Sequence, residues 1–497
     1  MLTLLATAQF MTGCEPSTPP STPPSTVDNL VLICIDTVGA DNFFNPNIDD
    51  PLALRLGSAQ KYLNANSVAP WTIPAVASTL TGLYPVQHNA GQFESPVANL
   101  DVDLPRALSD SAQTLAEMLN EQQFRTGAVS AHPWFTAGFG LEQGFKQLHA
   151  RKGSKKITTK FKQWLDQSLK QKNQKRFFGY LHFMEAHDWH LRKKPERDAR
   201  MAEIDPALRI ELLKEANDEA CGADESSDHC QRNLIYNLAV RELRDAINTV
   251  LEGLEERDLL KNTLVVVYSD HGEEFWEHKA QHELRDDPRK VRGFGHGHSM
   301  FEELLHVPLV AWHPNFGGAD HEQLVSLVDV TPSVLAWLGL EQPGHALPGM
   351  ALPAGAQKPV ANNEPRILFA SGIAYGSNAI AVREGQLKSI MHYPDENFQF
   401  FDLSRDPGEH QPLQDDSLMF NFDALTGDYI EMKNESLASG SGPEMDAQTL
   451  EHLKSIGYLQ GVEEQPEPEQ ADKSAPDPSG QREAESSQTD DEETPQS

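Results

Sequence analysis

Residues 264–272 read Leu-Val-Val-Val-Tyr-Ser-Asp-His-Gly. An apolar, mostly β-branched run stops abruptly on a carboxylate and an imidazole. Such a run suits a strand covered on both faces, as in a parallel sheet. Ligands of open α/β sheets gather beyond the carboxyl ends of such strands. Asp270 and His271 are also good donors for a divalent cation. For one isolated run, a strand followed by a polar turn explains the pattern as well. The chain has a second one: Asn29-Leu-Val-Leu-Ile-Cys-Ile ends on Asp36. Two strand-end carboxylates can meet at one cation when their strands are neighbours.

Thr72-Ile73-Pro74 reads as a helix start, with Thr72 as the N-cap and Pro74 in the first turn. Gly82-Leu-Tyr-Pro85 ends that helix. A hydroxyl placed there faces unpaired backbone N–H groups and the positive end of the helix dipole, both of which stabilise an anion. Most threonines at helix starts are only caps. The position of Thr72 in the chain, between Asp36 and Asp270-His271, lifts it above that reading.

With these motifs in this order, the chain resembles the sulfatase branch of the alkaline phosphatase superfamily, from about Asn29 to Gly457. Ala128-Val-Ser-Ala-His132-Pro-Trp-Phe with Gly144-Phe145 resembles the segment that delivers a basic group to the substrate. Tyr180-Leu-His-Phe-Met-Glu-Ala-His187 is similar to the strand and loop that carry a substrate-contacting histidine. Gly295-His296-Gly-His298-Ser-Met-Phe-Glu302 with Val307-Pro-Leu309 resembles the segment that closes the site. Ser326–Pro332 and Phe401–Glu409 match structural markers of the family. Each motif alone is weak; their order is what carries the resemblance. It implies an α/β fold: a large mixed, mostly parallel sheet between helices, with a small C-terminal α+β subdomain. The implied boundaries are 28–360 for the catalytic domain and 361–460 for the subdomain.

The departures bear on the chemistry. Sulfatases place Cys or Ser where Thr72 stands, convert it to formylglycine, and follow it with x-Pro-Ser-Arg. Here the run is Thr72-Ile-Pro-Ala-Val76, and Thr cannot give an aldehyde by that route. Thr37 replaces the usual second Asp, and Gly39 stands where Arg is common. Cys34, inside the first strand, reads as a core residue. The site therefore resembles the Thr-nucleophile relatives: phosphodiesterases, phosphonate hydrolases and lipoteichoic acid synthase-like phosphoglycerol transferases. The implied activity is metal-dependent cleavage of sulfuric or phosphoric esters through a metal-bound Thr72. One divalent cation (Ca, Mg, Mn or Zn) is expected on Asp36, Thr72, Asp270 and His271, with room for a second. His132, His187 and His296 are candidates for binding the substrate, and His132, His187 and His298 for proton transfer. His296 and His298, two apart around Gly297, suit a loop converging on one point. Glu273, Glu274 and Glu277 read as a solvated helix start in preference to further ligands. His182 reads as core-facing, and His190, His278 and His306 as ordinary surface or core residues. Two other readings stay open: a phosphoglycerol-type transferase acting on envelope polymers, and a binding protein on an inactive scaffold. The four clustered motif residues argue against the last.

Apolar runs alternate with helical stretches at Ser109–Glu121, Leu234–Leu254 and Leu327–Leu338, and Leu304–Trp312 reads as a strand. From Pro365 the texture changes to short antiparallel strands at 367–370, 379–383 and 387–393, with a final helix at Thr449–Leu459. At the start, Met11-Thr-Gly-Cys14 resembles a bacterial lipobox, although no Lys or Arg precedes it. Residues 1–14 are then a signal and 15–27 a Pro/Ser/Thr tether. A lipidated Cys14 implies an exported envelope protein, anchored on the periplasmic or outer face of a bacterial membrane. Cys221 and Cys230 lie in one polar loop that could hold a disulfide or a metal. The net charge of -33 argues against nucleic acid as partner. The expected partner is an anionic ester, from an envelope glycan or a lipid headgroup. Residues 461–497 are acidic and almost free of large apolar side chains, the composition of a disordered tail.

Overall fold

In the computed structural model, residues 27–435 are described, apart from 96, 101–102, 171–175, 191, 217–220, 222–226, 279–293, 344–346, 356–365, 394–395 and 416. Cys14, most of the tether, the 449–459 helix and the acidic tail lie outside the described residues. The chain divides into two compact units, 1–459 and 460–497, and every described residue belongs to the first.

Its main sheet has eight strands. In chain order they are β1 (Asn29–Ile35), β2 (Gln60–Asn66), β3 (Arg125–Ser130), β4 (Gln147–Ala150), β5 (Phe177–Phe183), β6 (Thr263–Tyr268), β7 (Leu309–Trp312) and β8 (Ala319–Ser326). The spatial order is β8-β2-β7-β6-β1-β5-β3-β4. Only β7 runs against its neighbours, β6 and β2; the other pairings are parallel. The two strands that end on Asp36 and Asp270 are therefore direct neighbours, with Cys34 opposite Tyr268.

Both faces of the sheet are covered, which is why β1 and β6 contain almost no polar residues. Side chains alternate along a strand. Leu30, Leu32, Leu264 and Val266 enter one core layer with Ile73, Val76, Ala77 and Leu80 of helix α1 (Thr72–Thr81). Val31, Ile33, Val265 and Val267 enter the other with the long helix α2 (Asp228–Glu255). The buried stripe of α2, Tyr236, Val240, Leu243, Ile247, Val250 and Leu254, follows the three-and-four spacing of one helix face. Ser227 caps its start by accepting the Cys230 N–H.

A four-stranded antiparallel sheet follows: Ile367–Ser371, Ala379–Glu384, Leu387–His392 and Asn397–Asp402. Buried charges tie it to the main body, since Arg383 and Lys388 each stand 2.8 Å from Glu302.

Two expected elements are corrected. Ser109–Glu121 is helical only over Leu115–Glu121, where Thr114 and Glu117 form a capping box. Leu304–Trp312 is not one strand, because a helical turn at Glu302–Leu305 precedes β7. Leu327–Leu338 is helical as expected, opening as a 3-10 turn at Leu327–Asp329 before the α-helix Val330–Trp337. Cys221 and Cys230 form a disulfide, so the metal alternative for that loop falls away.

Candidate active site

Asp36 follows the last residue of β1, and the chain turns sharply there. Thr37 has φ 63°, a left-handed conformation that is an outlier for a β-branched residue. The turn is held from outside. Tyr236 donates its hydroxyl to Thr37 O (2.8 Å) and accepts from Gly39 N (3.1 Å). The Ser269 hydroxyl, at the end of β6, accepts from Val38 N at 2.9 Å. Strain of this kind persists where the surroundings fix it, commonly at functional sites. Gly272 lets the chain beyond His271 pass closely under the Glu303 backbone, since a Cβ there would lie 2.0 Å from Glu303 O.

Thr72 is the first residue of α1 rather than its cap; Trp71 occupies the N-cap position in extended conformation. The hydroxyl still sits at the positive end of the helix. Thr72 Oγ1 is 3.3 Å from His271 Nε2. Asp36 Oδ1 and Asp270 Oδ2 are each 3.5 Å from the same nitrogen. Neither carboxylate oxygen has a hydrogen-bond partner among the described residues, and both side chains are fully buried. His271 Nδ1 hydrogen-bonds Gly272 O at 2.9 Å, so in the neutral ring the Nε2 lone pair points into the cluster.

Two buried, unsatisfied carboxylate oxygens facing an imidazole lone pair make a costly arrangement without a cation. Donors at tetrahedral corners about 2.1 Å from an ion stand about 3.4 Å from one another, which matches these separations. The electrostatics agree with two acids sharing one place. Burial and the Asp36 charge push Asp270 up. Burial also opposes the charge of Asp36, but the His182 hydrogen bond and the surrounding histidines hold it below the usual carboxylate range.

Histidines surround this cluster. His132 accepts Trp134 N–H on Nδ1 (3.2 Å) and turns Nε2 toward Asp36 Oδ2 at 3.5 Å. The His187 ring centroid is 6.2 Å from that of His132 and 5.1 Å from that of His296. His296 is 4.5 Å from His271, ring to ring, and hydrogen-bonds Glu273 Oε2 at 3.0 Å. Burial pushes His132 well below its ordinary range and His296 down to about 4. Burial also opposes a charge on His187, but Asp188 beside it and Asp36 hold it up at about 9.

His296 hydrogen-bonds Glu273 Oε2 at 3.0 Å, and His298 hydrogen-bonds Glu274 Oε2 at 2.6 Å. Glu273 and Glu274 are buried, with Glu274 in a short strand, so they are not a solvated helix start. Glu274 forms with His278 and Glu303 a group that could hold an ion. His278 already spends its ring nitrogens on Glu303 (2.6 Å) and Glu409 O (3.3 Å). His182 does face the core with Tyr180, as its alternation requires. It also lies near the carboxyl end of β5, and there its Nε2 reaches Asp36 Oδ2 at 2.9 Å. His182 is the penultimate residue of β5, a height that the alternation of the sequence does not give.

A sulfatase family model matches residues 28–340, and the chain belongs to the sulfatase family, a family of ester hydrolases. Human arylsulfatase K is 28% identical over 184 residues, 35% of this chain and 32% of that protein. The mouse protein is 30% identical over 185 residues, 35% and 31% of the two chains. The match thus spans about a third of these relatives' length. The fold is that of a protein solved with its substrate D-glucosamine-2-N,6-O-disulfate (TM-score 0.60, 16% identity, 86% of this chain and 98% of that one). It is equally that of the phosphonate monoester hydrolase of Agrobacterium radiobacter (TM-score 0.59, 17% identity, 82% and 96%).

Proposed function

We propose that the protein is a metal-dependent hydrolase of anionic sulfuric or phosphoric esters, with Thr72 as nucleophile. The observation that supports this most is the convergence of Thr72 Oγ1, Asp36 Oδ1 and Asp270 Oδ2 on His271 Nε2 at 3.3 to 3.5 Å. These four residues would hold one divalent ion, which lowers the pKa of a bound hydroxyl and neutralises charge. Mn, Zn, Mg and Ca all suit a set of two carboxylates, an imidazole and a hydroxyl.

The chain's own groups divide the remaining work. Thr72 Oγ1 bonds to sulfur or phosphorus at the start of α1, where the helix dipole favours the negative charge that gathers. His187, held protonated near neutral pH, suits the non-bridging oxygens or the proton that the leaving alcohol needs. His132 and His296, held neutral, suit the base that prepares water to release the Thr72 ester. His298, bound to Glu274, is assigned a supporting place beside them. Aryl sulfate, phosphate monoester, diester and phosphonate substrates, each assayed with different metals, test the reading. Failure of Thr72→Ala to abolish turnover on every class would overturn it.

We also infer an exported, lipid-anchored protein. The Cys221–Cys230 disulfide fits an oxidising compartment, and Met11-Thr-Gly-Cys14 supports an anchor on Cys14. A tryptic N-terminal peptide beginning at an unlipidated residue other than Cys14 would overturn the anchor.

A further inference from the structure

Asp36 uses its two oxygens differently. Oδ1 faces the His271 nitrogen, and Oδ2 is gripped by His182 Nε2 at 2.9 Å. Behind His182 the contacts continue away from the site. Tyr180 Oη is 3.0 Å from His182 Nδ1, and Tyr268 Oη is 3.3 Å from Tyr180 Oη. His182, Tyr180 and Tyr268 have no solvent exposure. They come from the two strands that flank β1, His182 and Tyr180 from β5 and Tyr268 from β6, so the chain of contacts crosses beneath the end of β1.

We propose that His182, oriented by Tyr180 and Tyr268, is a positioning residue that fixes Asp36 as a one-oxygen ligand with Oδ1 turned into the cation site. The polarity of the chain follows from what each group can donate. A carboxylate only accepts, so His182 Nε2 carries hydrogen toward Asp36. A neutral ring then leaves Nδ1 as an acceptor, which the Tyr180 hydroxyl fills. Tyr180 in turn accepts from Tyr268. A phenol is un-ionised near neutral pH, so both remain O–H donors. Cys34, also buried, lies close to His182 and Asp270.

The alternative is that this network only fills the core. Tyr180 and Tyr268 do pack among apolar side chains, and phenylalanine would fill the same space. Their hydroxyls would then have no effect beyond local stability. The proposal requires an effect on the cation, transmitted through His182 and Asp36, two residues away from Tyr180 in contact order.

This inference rests on the proposed reading of Asp36 as a cation ligand, and the experiment separates the two. Mn²⁺ is titrated into the metal-depleted full chain by calorimetry, and the bound ion's EPR spectrum is recorded. Variants are His182→Phe, His182→Gln, Tyr180→Phe, the double variant His182→Gln with Tyr180→Phe, and Asp36→Ala. Circular dichroism and the unfolding midpoint of each metal-free variant establish that it is folded. His182→Phe is expected to bind Mn²⁺ roughly 10- to 100-fold more weakly, and His182→Gln, whose amide still donates, to return within about tenfold of wild type. Tyr180→Phe should weaken binding by roughly 3- to 10-fold and alter the EPR spectrum. It should add nothing in the His182→Gln background, because the imidazole through which it acts is gone. If His182→Phe does not fold, the nearly isosteric Tyr180→Phe carries the test. Wild-type affinity and spectrum in folded Tyr180→Phe and His182→Phe, with Asp36→Ala still losing the ion, would overturn this inference alone. Retention of the ion by Asp36→Ala would overturn the site itself.

Discussion

Thr72 Oγ1 and His271 Nε2, separated by 199 positions in the chain, stand 3.3 Å apart in the buried centre of the molecule. One belongs to the first turn of a helix and the other to the residue pair that ends a neighbouring strand. Neither location is unusual alone. Their meeting, with Asp36 and Asp270 around the same nitrogen, defines the site.

The ion should depend on both carboxylates. Asp36→Ala and Asp270→Ala are expected to purify without stoichiometric metal and without activity, as elemental analysis and turnover will show. Each variant removes one of two buried like charges, so loss of fold is not the expected outcome. Stoichiometric metal in both would mean the ion sits elsewhere.

Thr72 should stay chemically unmodified. Intact mass is expected to show the encoded side chain, and coexpression with a formylglycine-generating enzyme should leave activity unchanged. Thr72→Ala should remove activity, and Thr72→Ser, which keeps the hydroxyl, should retain a measurable fraction. Activity that depends on the maturing enzyme would move the nucleophile to another residue.

The strained turn after Asp36 should answer to Tyr236. Tyr236→Phe deletes the hydroxyl that holds Thr37 O and Gly39 N. The buried Thr37 O and the half-buried Gly39 N lose that partner, a loss of about 1–3 kcal/mol in unfolding free energy. Thr37 can then leave its left-handed conformation and carry Asp36 with it. Urea denaturation should show the loss, and Mn²⁺ titration a weaker site. An unchanged Mn²⁺ affinity in a destabilised variant would confine Tyr236 to stability.

Stability at acid pH should follow His88. Burial holds this imidazole down at about 3, between Ala90 N–H on Nδ1 and the Ser78 hydroxyl on Nε2. The unfolded chain takes up that proton near the ordinary value of about 6.5, and the folded one does not. His88 therefore contributes stability that is whole above that value and falls as pH drops toward 3. The slope is about 1.4 kcal/mol per pH unit. His88→Gln has no such proton, so its urea midpoints should decline less steeply below pH 6. Parallel pH profiles for the two proteins would remove His88 as the cause.

What could be read in advance depended on whether a residue's role was set by its own segment. Asp36, Asp270 and His271 announce themselves because an apolar strand ends on them. The parallel arrangement of β1 and β6 follows from the same runs. Thr72 was legible as a helix start, but not whether it or Trp71 is the cap; that depends on one extended backbone conformation at Trp71. His182 was hidden because alternation places a side chain on a face and says nothing of its height along the strand. Glu273 and Glu274 were misread because acids after a strand commonly start a solvated helix. Here the segment pairs as a strand with Phe294–Gly295, and distant histidines take both carboxylates. Such long-range partners leave no local pattern.

The choice of ester should follow from Thr72 itself. A sulfated formylglycine can expel its sulfate through the second hydroxyl on the same carbon. Thr72 has no second hydroxyl, so its ester must be cleaved by water attacking sulfur or phosphorus. A phospho-Thr72 is open to that attack with His187 protonated and a neutral histidine nearby as base. A sulfated Thr72 should be released slowly. The missing Arg in Thr72-Ile-Pro-Ala-Val76 removes one further sulfatase feature. Phosphodiesters or phosphonates are therefore expected to turn over faster than sulfate monoesters in the same purified protein, despite the family to which the chain belongs. Comparing kcat/KM across the classes decides it. A sulfate preference above roughly tenfold, about 1.4 kcal/mol in transition-state binding, would refute the argument from Thr72 and restore a sulfate ester as the substrate.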